Sequence, residues 1–409
     1  MFTFEMLQHV GPEVPLALLL MASLGLRARV NCTVSLLVKA SPERLWALVN
    51  PEDGKVDNWG RTTVVTRLAV PETQTYEITF ATATPSGAIR PVSALFQARD
   101  VITDRNVLMV RAGLEGKSEN NELLEIHHVL TPEAQGTRLT TRYLWGSRPL
   151  LAQVLARADL WGGAFRLKGL AETGVPNNRP FLWISAGVAL LTGIASVAAF
   201  GFSLGFWPAL VLVFALLVHE FGHLLAFRLI GQPWGRLVFL PFLGAIAVPR
   251  LPLESQGESV FSALMGPGFS CLLAAACAVP YIMGWPSASL FAMIGALTAG
   301  LNLFNLLPAE PLDGGVALRS VLSRLIGKYA PLGLMGIGVV IALLGYFTGQ
   351  LVLIMFGGLA ILANLKPRKI DPGLAPLSSL QVCIAFFGYS AIASAHYTMF
   401  YGFLGQIGI

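Results

Sequence analysis

The sequence predicts a polytopic α-helical membrane protein with about seven transmembrane helices, preceded by a soluble α+β domain in which a long helix packs on a curved antiparallel sheet. Three observations carry this expectation. The 409-residue chain is 54% hydrophobic and only 12% charged, against roughly a quarter charged in an ordinary soluble domain. Its charges are uneven: residues 31–172 alternate polar and apolar residues in short segments, whereas long apolar runs dominate from Phe181 onward. Two domains of different solvent are implied. Finally, one of the apolar runs contains two histidines and a glutamate at metal-site spacing.

In chain order, the first apolar stretch is Val14 to Leu26. About 13 residues of helix reach roughly 20 Å, short of the ~30 Å hydrocarbon core. Glu5 and Glu13 precede it where a secretory signal has basic residues. Residues 1–30 are therefore read as an uncleaved N-terminal segment, either a short membrane anchor or an interfacial helix. At Asn31 strand-like alternation begins, with Cys32 to Lys39 as the first strand. Ser41 as N-cap, Pro42 at the first helical position and the apolar face of Arg44 to Val49 predict a helix next. Further strands are expected at Thr62 to Val70, Thr75 to Ala83, Val92 to Arg99, Asn106 to Gly113, Asn121 to Leu130 and Thr137 to Trp145. Pro149 to Ala171 then reads as one long amphipathic helix, with Val154, Leu160, Leu167 and Leu170 among its apolar positions.

The order of strand, helix, meander and long C-terminal helix resembles the START-like, or polyketide-cyclase, superfamily over residues 31–173. Its most suggestive residues are Ala40-Ser-Pro-Glu-Arg-Leu-Trp46 and Gly136-Thr-Arg-Leu-Thr140. The resemblance implies a helix-grip fold around an apolar cavity. It leaves open whether that domain binds a lipid or small molecule or a protein partner.

Residues 174–180 form a polar, turn-rich linker. Seven apolar spans follow: Phe181 to Ser203, Phe206 to Phe227, Ser259 to Met283, Ser289 to Leu307, Pro331 to Phe347, Leu351 to Leu365 and Leu377 to Phe403. Residues 181–370 are taken as a membrane core and 371–409 as a C-terminal transmembrane helix. If the spans alternate, Arg179, Arg228, Arg236, Arg250, Arg319, Arg324, Lys328, Lys366, Arg368 and Lys369 share one side with the soluble domain. The opposite loops, at Gly205, Gly284 to Ser287, Thr348 to Gln350 and after Phe403, hold no Lys or Arg. The positive-inside rule puts the soluble domain in the cytoplasm.

In the second span stands His219-Glu-Phe-Gly-His223, which puts two imidazoles at i and i+4 on one helical face, spaced for one zinc ion. Glu220 is the expected general base, taking a proton from zinc-activated water and passing it to the leaving amine. Ionisable residues inside a membrane span cost several kcal/mol and are functional candidates for that reason. A catalytic zinc takes three protein ligands. Asp313, at the end of Asn305-Leu-Leu-Pro-Ala-Glu-Pro-Leu-Asp-Gly-Gly315, lies at the matching depth and is the expected third.

An HExxH in one apolar helix and an N-x-x-P-x-x-x-L-D-G in a later one resemble the site-2 protease family of intramembrane zinc metalloproteases, over about residues 181–370. The resemblance implies one zinc ion per chain held by His219, His223 and Asp313, with Glu220 as catalytic carboxylate. It also gives Asn305 a catalytic part, steadying substrate or oxyanion. Met265-Gly-Pro-Gly-Phe-Ser270 resembles the family's A-G-P-x-x-N segment, but Ser270 stands where asparagine is usual.

Leu237 to Pro249 is apolar yet broken by Pro241, Gly244 and Pro249, and is read as a re-entrant strand or hairpin able to bind an unwound substrate by strand addition. Glu310, between two prolines near Asp313, could gate or tune the site, but the stronger expectation is a solvated loop carboxylate; His396 is expected to find a backbone partner rather than to act as a ligand. His127 and His128 should face opposite sides of a strand. The four cysteines form no CxxC pair, and the net charge of +5 is not gathered into an aromatic-laced basic stripe, so nucleic acid is not an expected partner.

The function expected from these residues is zinc-dependent endoproteolysis of a membrane-anchored protein, within or beside the lipid bilayer, and the family resemblance implies a bacterial inner membrane. A non-proteolytic membrane metal or lipid sensor or transporter, and an inactive scaffold recruiting partners through the N-terminal domain, stand as alternatives. Neither needs a carboxylate at Glu220.

Overall fold

A computed structural model describes residues 27–59, 62–87, 89–111, 124–177, 179–240, 244–365 and 374–407. The apolar segment from Val14 to Leu26 lies outside the described residues, as do Pro241 and the basic residues Lys366, Arg368 and Lys369. The chain forms two compact units, Met1–Leu191 and Thr192–Ile409.

The first unit contains β1 (Arg27–Val38), α1 (Pro42–Val49), β2 (Val56–Asn58), β3 (Thr62–Val70), β4 (Thr75–Ala83), β5 (Ile89–Ile102), β6 (Asn106–Arg111), β7 (Leu124–Glu133), β8 (Gly136–Pro149) and α2 (Leu150–Thr173). The strands form one antiparallel sheet in the order β1-β8-β7-β6-β5-β4-β3-β2. Alternation makes this sheet two-faced: Val30, Cys32 and Val34 are buried while Arg29, Asn31, Thr33 and Ser35 between them are exposed. α1 starts where its cap dictates, with the Ser41 hydroxyl accepting the Arg44 N–H at 3.4 Å. α2 lays Leu167 and Ala171 on a core that includes Val38, Leu45, Trp46, Ile78, Val107 and Leu139. Each large aliphatic side chain buried there contributes roughly 1.5–3 kcal/mol. The end of edge strand β1 is tied down by α2: Lys168 Nζ donates to the Leu37 carbonyl at 2.7 Å, and Glu172 accepts the Lys39 N–H at 2.8 Å.

β2 was not expected from the sequence. It is three residues long and its polarity is inverted, with Val56 outside and the Lys55–Asp57 ion pair, 3.3 Å, turned inward. A pattern that short and that reversed carries no strand signal.

α3 (Arg179–Leu204) contains the division between the units. After it come α4 (Phe206–Leu229), β9 (Arg236–Leu240), β10 (Gly244–Val248), α5 (Gln256–Ile282), α6 (Ala288–Asn305), α7 (Asp313–Ile326), α8 (Ala330–Thr348), α9 (Leu351–Asn364) and α10 (Ser379–Ile407). Among the described residues six helical stretches are long and apolar enough to cross a membrane, Asp313–Thr348 counting as one. The sixth of the seven expected spans is α9, whose 14 residues reach only about 21 Å. β9 and β10 pair antiparallel from Leu240↔Gly244 to Arg236↔Val248, so the expected hairpin is present. α7 was not anticipated. Asp313 in its first turn complements the helix dipole, and its buried face of Ala317, Leu318 and Val321 makes the segment amphipathic.

Candidate metal centre

Four helices of the second unit converge on one cluster. α4 projects His219 and His223 from successive turns of one face, and the N-terminus of α7 brings Asp313 against them. The Asp313 Oδ2 lies 3.1 Å from His219 Nε2 and 3.4 Å from His223 Nε2, and the two Nε2 atoms are 3.1 Å apart. One ligand atom from each residue falls within 4.8 Å of the others.

The far side of each ring fixes what these atoms can do. His219 Nδ1 faces the Oδ1 of Asn302, on α6, at 2.7 Å, and the Asn302 amide nitrogen is itself donating to the Thr298 carbonyl at 2.7 Å. His223 Nδ1 faces the Ser262 carbonyl, on α5, at 2.7 Å. Both partners are acceptors, so each Nδ1 carries the proton and each Nε2 presents a lone pair inward. With both Nδ1 atoms engaged, the two Nε2 atoms and a carboxylate oxygen are the donor atoms that face one point. Two imidazoles with one carboxylate suit zinc. The space is kept by Gly266 of α5, where a Cβ would collide with His223 and stand 3.0 Å from His219 Nε2. The same crossing needs Gly222 of α4, since a Cβ there would press into the Met265 carbonyl and the Gly266 Cα.

Glu220 is 4% exposed beside His219 and His223. Its Oε2 has no hydrogen-bond partner among the described residues, and the Ala247 backbone of β10 faces the carboxylate. A buried carboxylate oxygen left without a donor is costly, which marks it as a group kept for chemistry.

His219, Glu220, His223 and Asp313 are thus brought together. Asn305 closes α6, half-buried, one turn beyond Asn302. Asn302 itself, fully buried against His219, was missed by the sequence reading. Its signal was an amide in an apolar helix, one turn before an asparagine already singled out. Ser262 offers no such signal, because it acts through its carbonyl. Glu310 corrects an expectation: its carboxylate is not solvated but pairs with Arg319 of α7, with the two side chains 12% and 9% exposed. The reason is local, since Arg319 lies two turns into α7 and reaches back over the loop. His396 has the expected backbone partner, its Nε2 2.9 Å from the Pro267 carbonyl. Ser270 is fully buried, with no hydrogen-bond partner for its hydroxyl among the described residues. In the first unit His128 is buried against the Thr141 hydroxyl at 2.9 Å while His127 is half-buried. Burial pushes His128 down to about 4.

No family model matches the chain. Over 130 residues it is 28% identical to "Zinc metalloprotease MJ0392" of Methanocaldococcus jannaschii, a match covering 30% of this chain and 37% of that protein. Over 128 residues it is 29% identical to "Putative zinc metalloprotease sll0528" of Synechocystis, covering 31% and 34%. The chain therefore spans about a third of the length of these curated relatives. Among solved structures, a site-2 protease from Methanocaldococcus jannaschii aligns at 18% identity and TM-score 0.30 over 44% of this chain and 88% of its own. The di-domain aromatase/cyclase StfQ of the steffimycin biosynthetic pathway aligns at 16% identity and TM-score 0.27 over 36% of this chain and 51% of its own. Over about a third of its length this chain is similar to curated zinc metalloproteases, and the convergence of His219, His223 and Asp313 agrees with that likeness.

Proposed function

We propose that the protein is an intramembrane zinc endopeptidase that hydrolyses a transmembrane or membrane-proximal peptide bond of a membrane-anchored substrate, in regulated intramembrane proteolysis. The observation that carries the reading is the convergence of two imidazole nitrogens and a carboxylate oxygen beside the Glu220 carboxylate, whose Oε2 has no partner among the described residues. His219, His223 and Asp313 would hold the zinc ion, which supplies Lewis acidity to polarise a carbonyl and to make water acidic enough to attack.

The chain's own groups do the rest. Glu220 takes the proton of the attacking water and delivers it to the leaving nitrogen. Asn302 and the Ser262 carbonyl hold the two imidazoles in the tautomer that leaves Nε2 free. Asn305 contributes a side-chain amide near substrate. β10, paired on one side only among the described residues, would offer its other edge to an unwound substrate segment, and its Ala247 stands at the Glu220 carboxylate. The basic residues common to one set of loops orient the helix-grip domain to the cytoplasm of a bacterial inner membrane, where it would recruit a partner or bind a lipid or small molecule.

The test is cleavage of a reconstituted single-span substrate by the purified chain. Wild type is expected to cut and Glu220→Gln to lose at least ~100-fold in rate. A Glu220→Gln protein as active as wild type contradicts the reading.

A further inference from the structure

The segment 306–312 joins α6 to α7 and delivers Asp313 to the two histidines. Polar groups from three helices hold every second residue from Leu306 to Glu310. Tyr389 of α10 donates its hydroxyl to the Leu306 carbonyl at 2.6 Å. Asn364, the last residue of α9, donates its amide to the Pro308 carbonyl at 2.8 Å and to Ala360 of its own helix at 2.7 Å. Arg319 of α7 pairs with the Glu310 carboxylate. These anchors are sheltered: Asn364 is 1% exposed and Arg319 7%.

The loop is also in direct contact with the ligand's own helix. A Cβ on Gly314, the residue after Asp313, would collide with the Leu306 carbonyl and lie 2.7 Å from the Leu306 Cα. A displacement of Leu306 is therefore passed to the first turn of α7. Metal ligands function only when held to within roughly half an ångström, and these anchors add to the connection's own turns, in which Ala309 N–H donates to the Leu307 carbonyl and Leu312 N–H to the Ala309 carbonyl. Buried polar groups are expensive to place in apolar helices. Three sets of them meeting on one seven-residue connection need a reason.

We propose that Tyr389, Asn364 and the Glu310–Arg319 pair are positioning residues that hold Asp313 at binding distance from His219 and His223. The helices that follow the site thereby set its affinity for metal. This inference rests on the zinc reading above. None of the four residues touches the reacting atoms.

The experiment uses the full chain in detergent. Zinc affinity is measured by competition with a chromophoric chelator for wild type, Tyr389→Phe, Asn364→Leu, Glu310→Gln and, as a distant control, Thr348→Ala. Each clamp variant is expected to bind zinc about tenfold more weakly and the control to match wild type. Cobalt loaded in place of zinc gives a visible ligand-field spectrum, which should change in the clamp variants, a signature that general loosening of distant helices would not produce. The charge reversal Glu310→Arg with Arg319→Glu should regain part of what either change alone loses. Tyr389→Phe removes one hydroxyl and serves where a bulkier change fails to fold. Variants that bind zinc within twofold of wild type with an unaltered cobalt spectrum overturn the clamp and leave the zinc site standing. A wild type that takes up no zinc overturns both.

Discussion

In the N-terminal unit Val30, Val38, Leu45 and Leu139 are at most 1% exposed, whereas in the unit from Thr192 onward Ile282 and Phe347 stand 78% and 79% exposed while His219, Asn302 and Asn364 are at most 2% exposed. As far as Thr173 the first unit packs its large aliphatic side chains inside. The second unit turns large apolar side chains outward and keeps polar ones such as His219, Asn302 and Asn364 inside, each hydrogen-bonded. That inversion is what a hydrocarbon solvent demands, because there an outward polar group is the costly one. His219, His223, Asn302 and the Glu310–Arg319 pair, all in the second unit, lie in or next to the candidate metal centre.

The contrast can be broken or sharpened by experiment. The largest effect expected is at Glu220, where Gln should keep the metal and lower the cleavage rate by a factor that corresponds to about 3 kcal/mol or more of barrier. Next, Leu343→Asp on the outer face of α8 should cost roughly 3 kcal/mol in membrane insertion, read from the membrane-integrated fraction in a translocation assay. Full insertion of that variant would mean that this face does not meet lipid.

A comparable effect is predicted in the first unit at low pH. His128 titrates near 4 in the folded domain because of its burial, against about 6.5 in an open chain. The unfolded state binds the extra proton between those values, so stability is full above about 6.5 and falls as pH drops toward 4, by at most roughly 3 kcal/mol. Thermal melting followed by far-ultraviolet circular dichroism should show this fall in wild type and less of it in His128→Asn. The smallest effect is expected at Val56→Asp, which adds charge to an already exposed position of β2. It should change melting by less than about 0.5 kcal/mol, and a large loss would show that β2 is covered.

Legibility in the sequence followed the same division of solvents. β3 and β4 have the expected bounds because a half-buried strand writes its alternation directly into residue type. Each expected apolar span coincides with one helix, since long hydrophobic runs are demanded by a long apolar surround. β2 and α7 were not legible: one is too short and inverted, and the other follows an X-Pro turn and opens with Gly314 and Gly315, which read as a loop. At the site, His219, Glu220, His223 and Asp313 were legible as motifs. Asn302, the Ser262 carbonyl and the Glu310–Arg319 pair were not. Their roles come from how helices cross, and a backbone acceptor leaves no trace in side-chain identity.

The most direct test is the metal content of the purified chain by mass spectrometry, for wild type, Glu220→Gln and His223→Ala. About one zinc per chain is predicted for the first two, with loss from His223→Ala. Zinc absent from wild type, or retained undiminished by His223→Ala, would contradict the account.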